Sequence, residues 1–220
     1  MYYHRTGPVG QVFQDAARPN VAVVGLGAGS LASYAEPGQC WTYYEIDPAI
    51  ERIARDPRYF TYLRDCRASA LEVVLGDARL QLRTAPEQGY GLIVLDAFSS
   101  DAIPMHLLTR EALSLYRRKL TPDGVIAFHI SNRFLDLAPV LGSLARNAGL
   151  VSRVRHDANP SVTEQQSGKS PSIWFVMAHR DADLGLIATD SLWVVPEVRP
   201  DAPVWTDDFS SIIEHFIIQL

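Results

Sequence analysis

The chain has 220 residues, 47% of them hydrophobic and 20% charged, with a formal net charge of −5. This describes an ordinary globular protein, long enough to bury a substantial core, as one large α/β domain or as a domain with a small appendage. The acidic balance and lack of a basic block argue against nucleic acid as a main partner, because phosphate binding leaves a basic footprint.

In chain order, residues 1–20 read as an N-terminal arm or short hairpin, interrupted by Gly7-Pro8 and Gly10. An apolar strand over 21–27 runs into the turn Gly25-Leu26-Gly27-Ala28-Gly29-Ser30. A second strand covers 42–46. A helix then starts at Pro48, a residue well placed in a first helical turn, with Asp47 as its cap. Strands over 71–75 and 90–95 end at Gly76-Asp77 and Asp96. Helical spacing of Leu107, Leu108, Ala112, Leu115 and Tyr116 predicts a helix over 104–120, followed by a turn at Thr121-Pro122-Asp123-Gly124. A fifth strand (125–130), a helix over 135–148 stopped by Gly149, and strands over 151–155 and 173–178 complete the series. Residues 196–203 form a proline-rich connector. After it, Phe209, Ile212, Ile213, Phe216, Ile217 and Leu220 fall on one stripe of a predicted docking helix.

Alternation of strands and helices implies a doubly wound, mostly parallel seven-stranded sheet. The segment 157–172 between the last two strands has no helical pattern, so those two strands are expected to pair antiparallel. A doubly wound sheet with an antiparallel last strand is a methyltransferase-like Rossmann fold, unlike that of the dinucleotide dehydrogenases. The chain divides into the arm (1–20), an S-adenosyl-nucleoside-binding catalytic-type domain (21–195) and a C-terminal connector with its docking helix (196–220).

In such a sheet the ligand crevice lies at the carboxyl ends of the strands. Gly25, Gly27 and Gly29 allow close backbone approach to a ligand. Glu45, about the distance downstream that a dinucleotide fingerprint requires, can accept hydrogen bonds from both ribose hydroxyls. The G-x-G-x-G spacing differs from G-x-G-x-x-G and tilts the reading towards an S-adenosyl ligand. Asp77 suits an adenine amino group, with the backbone at Ala78 serving the ring nitrogens. Asp96 and Asp101 bracket a loop over the reacting end. Each acid has a plainer role open to it: Asp77 and Asp101 could cap helices. His106 lies near the proposed site and is equally suited to a solvated first turn. His129 reads as a hydrogen-bonded structural histidine. Neither Cys40 nor Cys66 has CxxC or metal-ligand spacing, so free thiols and no metal are expected. No apolar run reaches the ~18 residues of a membrane span and the N-terminus lacks a signal-peptide core, so the chain reads as cytoplasmic, without membrane insertion.

The segments Gly25 to Ser30, Tyr44-Glu45-Ile46-Asp47-Pro48, Gly76-Asp77-Ala78 and Ile93-Val94-Leu95-Asp96 through Thr109 resemble the spermidine synthases, or polyamine aminopropyltransferases. The loop with Ser99-Ser100-Asp101-Ala102-Ile103-Pro104 and His106-Leu107-Leu108-Thr109 is similar to a divergent, spermidine synthase-like branch. In that branch the domain is often fused behind a membrane-spanning region. The resemblance implies transfer of an aminopropyl group from decarboxylated S-adenosylmethionine to a polyamine such as putrescine. It places Asp96 nearest the attacking amine and Asp101 as a second amine-holding acid. Glu45 and Asp77 hold the nucleoside, and Gln11, Tyr3 and His106 are candidate substrate contacts. It also implies a possible homodimer. Ala28 stands where the family usually has an acid in the glycine turn, and the N-terminal strand domain is shortened to about twenty residues. Two other readings therefore stay open: an S-adenosylmethionine-dependent methyltransferase, and a non-catalytic nucleoside- or polyamine-binding module.

Overall fold

A computed structural model describes residues 2–14, 18–98, 103–132, 135–199 and 201–210. Seven strands form one sheet: β1 (Asn20–Val24), β2 (Cys40–Glu45), β3 (Ala70–Leu75), β4 (Tyr90–Leu95), β5 (Leu120–His129), β6 (Val151–Asp157) and β7 (Ser172–Ala178), in the order β3-β2-β1-β4-β5-β7-β6. The first five are parallel, and β7 runs antiparallel between β5 and β6. This is the sheet the sequence predicts, antiparallel pairing included.

The strand residues sort by their two-residue period. Ala22, Val24, Ile93, Leu95, Ile126 and Phe128 face one layer, with α3 (Ala78–Thr84), α4 (Arg110–Lys119) and α5 (Ala138–Asn147). Val21, Val23, Leu92, Val94, Val125 and Ala127 face the other. There they meet α1 (Pro8–Gln14), α2 (Pro48–Arg55) and the short 3-10 helices at Ser30–Tyr34 and Asp181–Ala188. β1 and β4 are buried almost throughout because both faces are covered, which explains their unbroken apolar runs. The edge strand β3 is only partly covered.

Four local expectations change. The arm is a helix rather than a hairpin: Val9 and Val12 of α1 are buried in the core, and Pro8 occupies its first position, where its missing N–H costs nothing. The segment between β6 and β7 contains a short helix, α6 (Val162–Gln166), closed by a Ser161–Glu164 capping box. The helix expected over 104–120 is two pieces, a 3-10 turn at Met105–Leu107 and α4. Thr109 caps α4 by accepting from the Ala112 N–H, so that role does not fall to Asp101, which lies outside the described residues. Residues 211–220, with most of the predicted docking stripe, lie outside them too. Thr121-Pro122-Asp123-Gly124 is not a free turn: it is an outward bulge within β5, between the Tyr90–Leu120 and Leu92–Val125 pairings.

Lys119 is nearly fully buried at the end of α4. Its ammonium donates to the carbonyls of Arg83 (3.2 Å) and Ala85 (2.6 Å) and to Glu87 (2.7 Å). It thereby satisfies carbonyls left open where α3 ends.

Candidate active site

β1 leads to β2 on one side and lies against β4 on the other, so the switch point of the sheet opens between the carboxyl ends of β1 and β4. All three glycines of the turn after β1 have positive φ: 94° at Gly25, 52° at Gly27 and 75° at Gly29. They do different work. A Cβ on Gly25 would sit 2.6 Å from the Asp96 carbonyl oxygen, and one on Gly29 2.7 Å from Leu63. Those two glycines let the turn pack on the protein itself. Gly27 is exposed and faces open space, with nothing within 4 Å of a built Cβ. It is the position where a ligand can meet bare backbone.

Glu45 ends β2 with its side chain buried under this turn. One carboxylate oxygen accepts from the Leu26 N–H and the other from the Asp47 N–H, each at 2.9 Å. It pins the glycine turn to β2, and each oxygen keeps a lone pair for a further donor. Asp47 caps α2 through the Ala49 N–H (2.7 Å), and Asp77 caps α3 through the Leu80 N–H (2.9 Å). The other Asp77 oxygen is 3.5 Å from His106 Nε2. Ile46 and Leu80, flanking these acids, are exposed apolar side chains. A C-terminal strap holds this side in place. Asp207 accepts two hydrogen bonds from Arg79 (2.7 and 2.6 Å) and one from Thr109 (2.8 Å), and its N–H donates to Glu111 (3.0 Å). Arg79 also reaches the His106 carbonyl.

Asp96, at the end of β4, has a different setting. Its side chain is 9% exposed and His129 Nδ1 lies 2.7 Å from it; the His129 side chain is 3% exposed. His129 Nε2 is 2.8 Å from Ser131 Oγ, which accepts from the Ile173 N–H at 2.8 Å. The imidazole stacks on Trp174, its cross-strand partner, at 4.8 Å and 7°. Phe98, Tyr2 and Tyr3 approach it at 4.9, 5.5 and 5.7 Å. Burial, then the charge and hydrogen bond of Asp96, push the Tyr3 phenol far above its ordinary value, so it stays a neutral donor. Burial also raises the Tyr43 phenol, with Cys66 and Asp96 adding to it. A cavity of about 650 Å³ opens here, walled by Tyr2, Tyr3, Phe98, His129, Ser131 and Asn132 and by the residues leading into β7.

The sequence-predicted residues thus fall into groups. Gly25, Gly27, Gly29 and Glu45 come together at the end of β1. Asp77, Ala78 and His106 lie together beyond β3, and Asp96 meets Tyr3. Gln11 does not join them: it bonds Asp190, Arg155 and the Trp193 indole, tying α1 to the C-terminal segment. Phe98, Ser131 and Trp174 are site residues that sequence reasoning does not find; Tyr2, like Tyr3, reads as a possible remnant of an amine-binding portion, and His129 reads as structural in preference to facing the ligand edge. The available signal was the His129–Trp174 register, which requires knowing how β5 and β7 pair. Among the described residues, no three His, Cys, Asp or Glu side chains gather as a metal-ligand set, and no helix is long and apolar enough to cross a membrane.

Sheet order, switch point and an acid-bearing edge define a methyltransferase-like Rossmann domain. No family model matches the sequence. The chain is similar to a polyamine aminopropyltransferase from Vibrio vulnificus, with 37% identity over 119 residues, covering 52% of this chain and 37% of the relative. It is also similar to an N-terminal histidine N-methyltransferase from Emericella nidulans, with 35% identity over 118 residues, 51% of this chain and 20% of that one. The spermidine synthase of Thermotoga maritima shares the fold, with a TM-score of 0.56 at 18% identity over 81% of this chain and 60% of that structure. The chain therefore spans well under half the length of these two curated relatives.

Proposed function

We propose that this domain transfers an aminopropyl group from decarboxylated S-adenosylmethionine to a polyamine such as putrescine. The observation that carries the reading is the adjacency of two unlike half-sites: a glycine turn pinned by Glu45, and the aromatic cavity backed by Asp96. The donor nucleoside lies over Gly27, with its ribose hydroxyls at Glu45 and its adenine between Ile46 and Leu80, near Asp77. The acceptor ammonium enters the aromatic cavity, where ring faces and the Asp96 charge favour a cation. Alignment of amine and sulfonium supplies much of the acceleration. The similarity to a polyamine aminopropyltransferase supports the same substrate class. Asp101, whose side chain lies outside the described residues, remains the candidate second acid. The reaction needs no metal. A cytoplasmic location suits these small charged metabolites, and assembly as a homodimer is compatible with it.

A second reading, methyl transfer from S-adenosylmethionine, is favoured by Ala28. An acid at that point would repel the carboxylate of the intact donor, and here there is none. Calorimetric titration with S-adenosylmethionine, its decarboxylated form and methylthioadenosine, followed by a putrescine turnover assay, separates the two. Preference for the decarboxylated donor with turnover supports aminopropyl transfer. Preference for the intact donor with methylation of an amine replaces it. Nucleoside binding without transfer leaves a binding module.

A further inference from the structure

Asp96 is the conspicuous acid of the site, yet the polar groups lining the cavity beside it are His129 and Ser131, joined to Asp96 in one hydrogen-bonded series. With Asp96 ionised and His129 neutral, the hydrogen bonds between these groups place the protons in one way. The Ile173 amide can only donate, and it donates to Ser131 Oγ. An ionised Asp96 can only accept, so His129 Nδ1 bears a proton towards it. In the neutral imidazole Nε2 is then an acceptor, and the single Ser131 hydroxyl proton points at it. Ser131 Oγ keeps its second lone pair open to a further donor. When Nε2 gains a proton, one change suffices: the Ser131 hydroxyl hydrogen turns out into the cavity. The imidazolium that results is already paired with a carboxylate by a charge-assisted bond. The titratable side chains described around the imidazole are Asp96, Tyr2 and Tyr3, and its other neighbours Trp174, Phe98 and Ser131 are uncharged.

We infer that Ser131 and His129 form a proton relay that deprotonates the acceptor ammonium, with Asp96 holding the imidazolium. The inference rests on the proposed entry of an amine into this cavity. The ammonium gives one proton to Ser131 Oγ as the Ser131 proton passes to His129 Nε2. The freed amine lone pair forms the new carbon–nitrogen bond. The carbon–sulfur pair stays on sulfur, leaving a neutral thioether. The product departs as a secondary ammonium and His129 returns its proton to solvent. A serine beside a histidine and an aspartate also suggests a nucleophile. The Ile173 N–H engages one of the two Ser131 lone pairs and the other is left to take a proton or to attack, so the labelling arm of the test below separates the two roles.

The test uses the full chain labelled with 15N-histidine, as wild type, S131A and S131T, with and without methylthioadenosine and putrescine. Nitrogen-15 spectra are read for the His129 tautomer, and turnover with decarboxylated S-adenosylmethionine is measured on the same samples. The expected result is a neutral Nδ1–H imidazole that becomes imidazolium when putrescine binds in wild type, but not in S131A. Turnover falls about 100-fold in S131A, within the range of general acid–base contributions. The KM for putrescine holds within about twofold, and S131T, which keeps the hydroxyl, recovers most of the rate. An Nε2–H tautomer, an imidazole indifferent to putrescine, or full activity in S131A overturns the relay. Covalent labelling of Ser131 by an activated phosphonate also overturns it, in favour of a nucleophile. If His129 responds to putrescine but no aminopropyl group is transferred, the relay stands and the transferase reading falls.

Discussion

The two halves of the crevice use carboxylates in opposite ways. Around β1 to β3, Glu45, Asp47 and Asp77 each accept from backbone N–H groups a few residues away or on the adjoining turn. Around β4, β5 and β7, Asp96 is met by side chains, His129 from β5 and Tyr3 from the N-terminal arm. A backbone-held acid shapes a loop and offers a fixed acceptor. A side-chain-held acid shares protons with its partners, which is what chemistry on an amine requires. Under the proposed function, the first half is a binding surface and the second a reacting one.

The sharpest way to break this contrast is D96N beside E45Q. In D96N, turnover should drop by about 10²- to 10⁴-fold, the span of general acid–base contributions, with methylthioadenosine affinity nearly unchanged. E45Q should do the reverse, weakening the nucleoside about 10-fold or more, since an amide nitrogen would meet one of the two donated N–H groups. Calorimetry and a turnover assay on both variants check the pair, and equal effects on both quantities would erase the distinction. The next largest effect separates two glycines of one turn. G25A should destabilise by about 3 kcal/mol, through a Cβ driven into the Asp96 carbonyl and a strained positive φ. G27A should cost about 1 kcal/mol while weakening the nucleoside, because its Cβ enters open space. Urea melts and methylthioadenosine titrations read both.

Lys119 provides a reference far from either half. K119M should lose about 2 kcal/mol by leaving the Arg83 and Ala85 carbonyls unpaired, with nucleoside affinity intact. The smallest effect is expected at the exposed strap. D207N should cost at most about 1 kcal/mol, as exposed ion pairs do. The hydrogen bonds from Arg79 hold the Asp207 carboxyl below its ordinary value. A depressed folded-state pKa gives stability that is present above the unfolded value, about pH 4, and is lost as pH falls through the folded one. The gap between wild type and D207N in urea midpoint should therefore narrow from pH 7 to pH 3.

The binding half was legible in the sequence because its contacts are short-range. Strand-end acids, the glycine spacing and Pro48 after Asp47 all act within a few residues, and sequence order alone brings β1 and β2 together. The reacting half depends on distant meetings. Tyr2 and Tyr3 reach His129 from the other end of the chain, and Trp174 lies under it only through the β5–β7 register. The arm looked like a hairpin because Gly7-Pro8 and Gly10 read as turn signals, whereas Pro8 opens a helix and Val9 and Val12 give it a buried face. Gln11 looked like a remnant of an amine site, yet it is taken up by Asp190, Arg155 and Trp193. The four-residue bulge in β5 read as a loop because Pro and Gly mark a break in pairing without saying whether the strand resumes.

The contact between Gly25 and the Asp96 carbonyl makes the two half-sites a single joint rather than two movable jaws. Under the proposed function, donor turn and acceptor acid then cannot slide apart to suit a longer or shorter amine. On that reading, any tolerance for chain length comes from the wall built by Tyr2 and Tyr3, which is held by the arm's own ties: Arg5 to the Ser33 carbonyl, the Tyr34 hydroxyl to the Tyr3 carbonyl and Thr6 to Glu164. The sheet fixes the seam between the two half-sites, and the arm sets how much room lies in the cavity beside it.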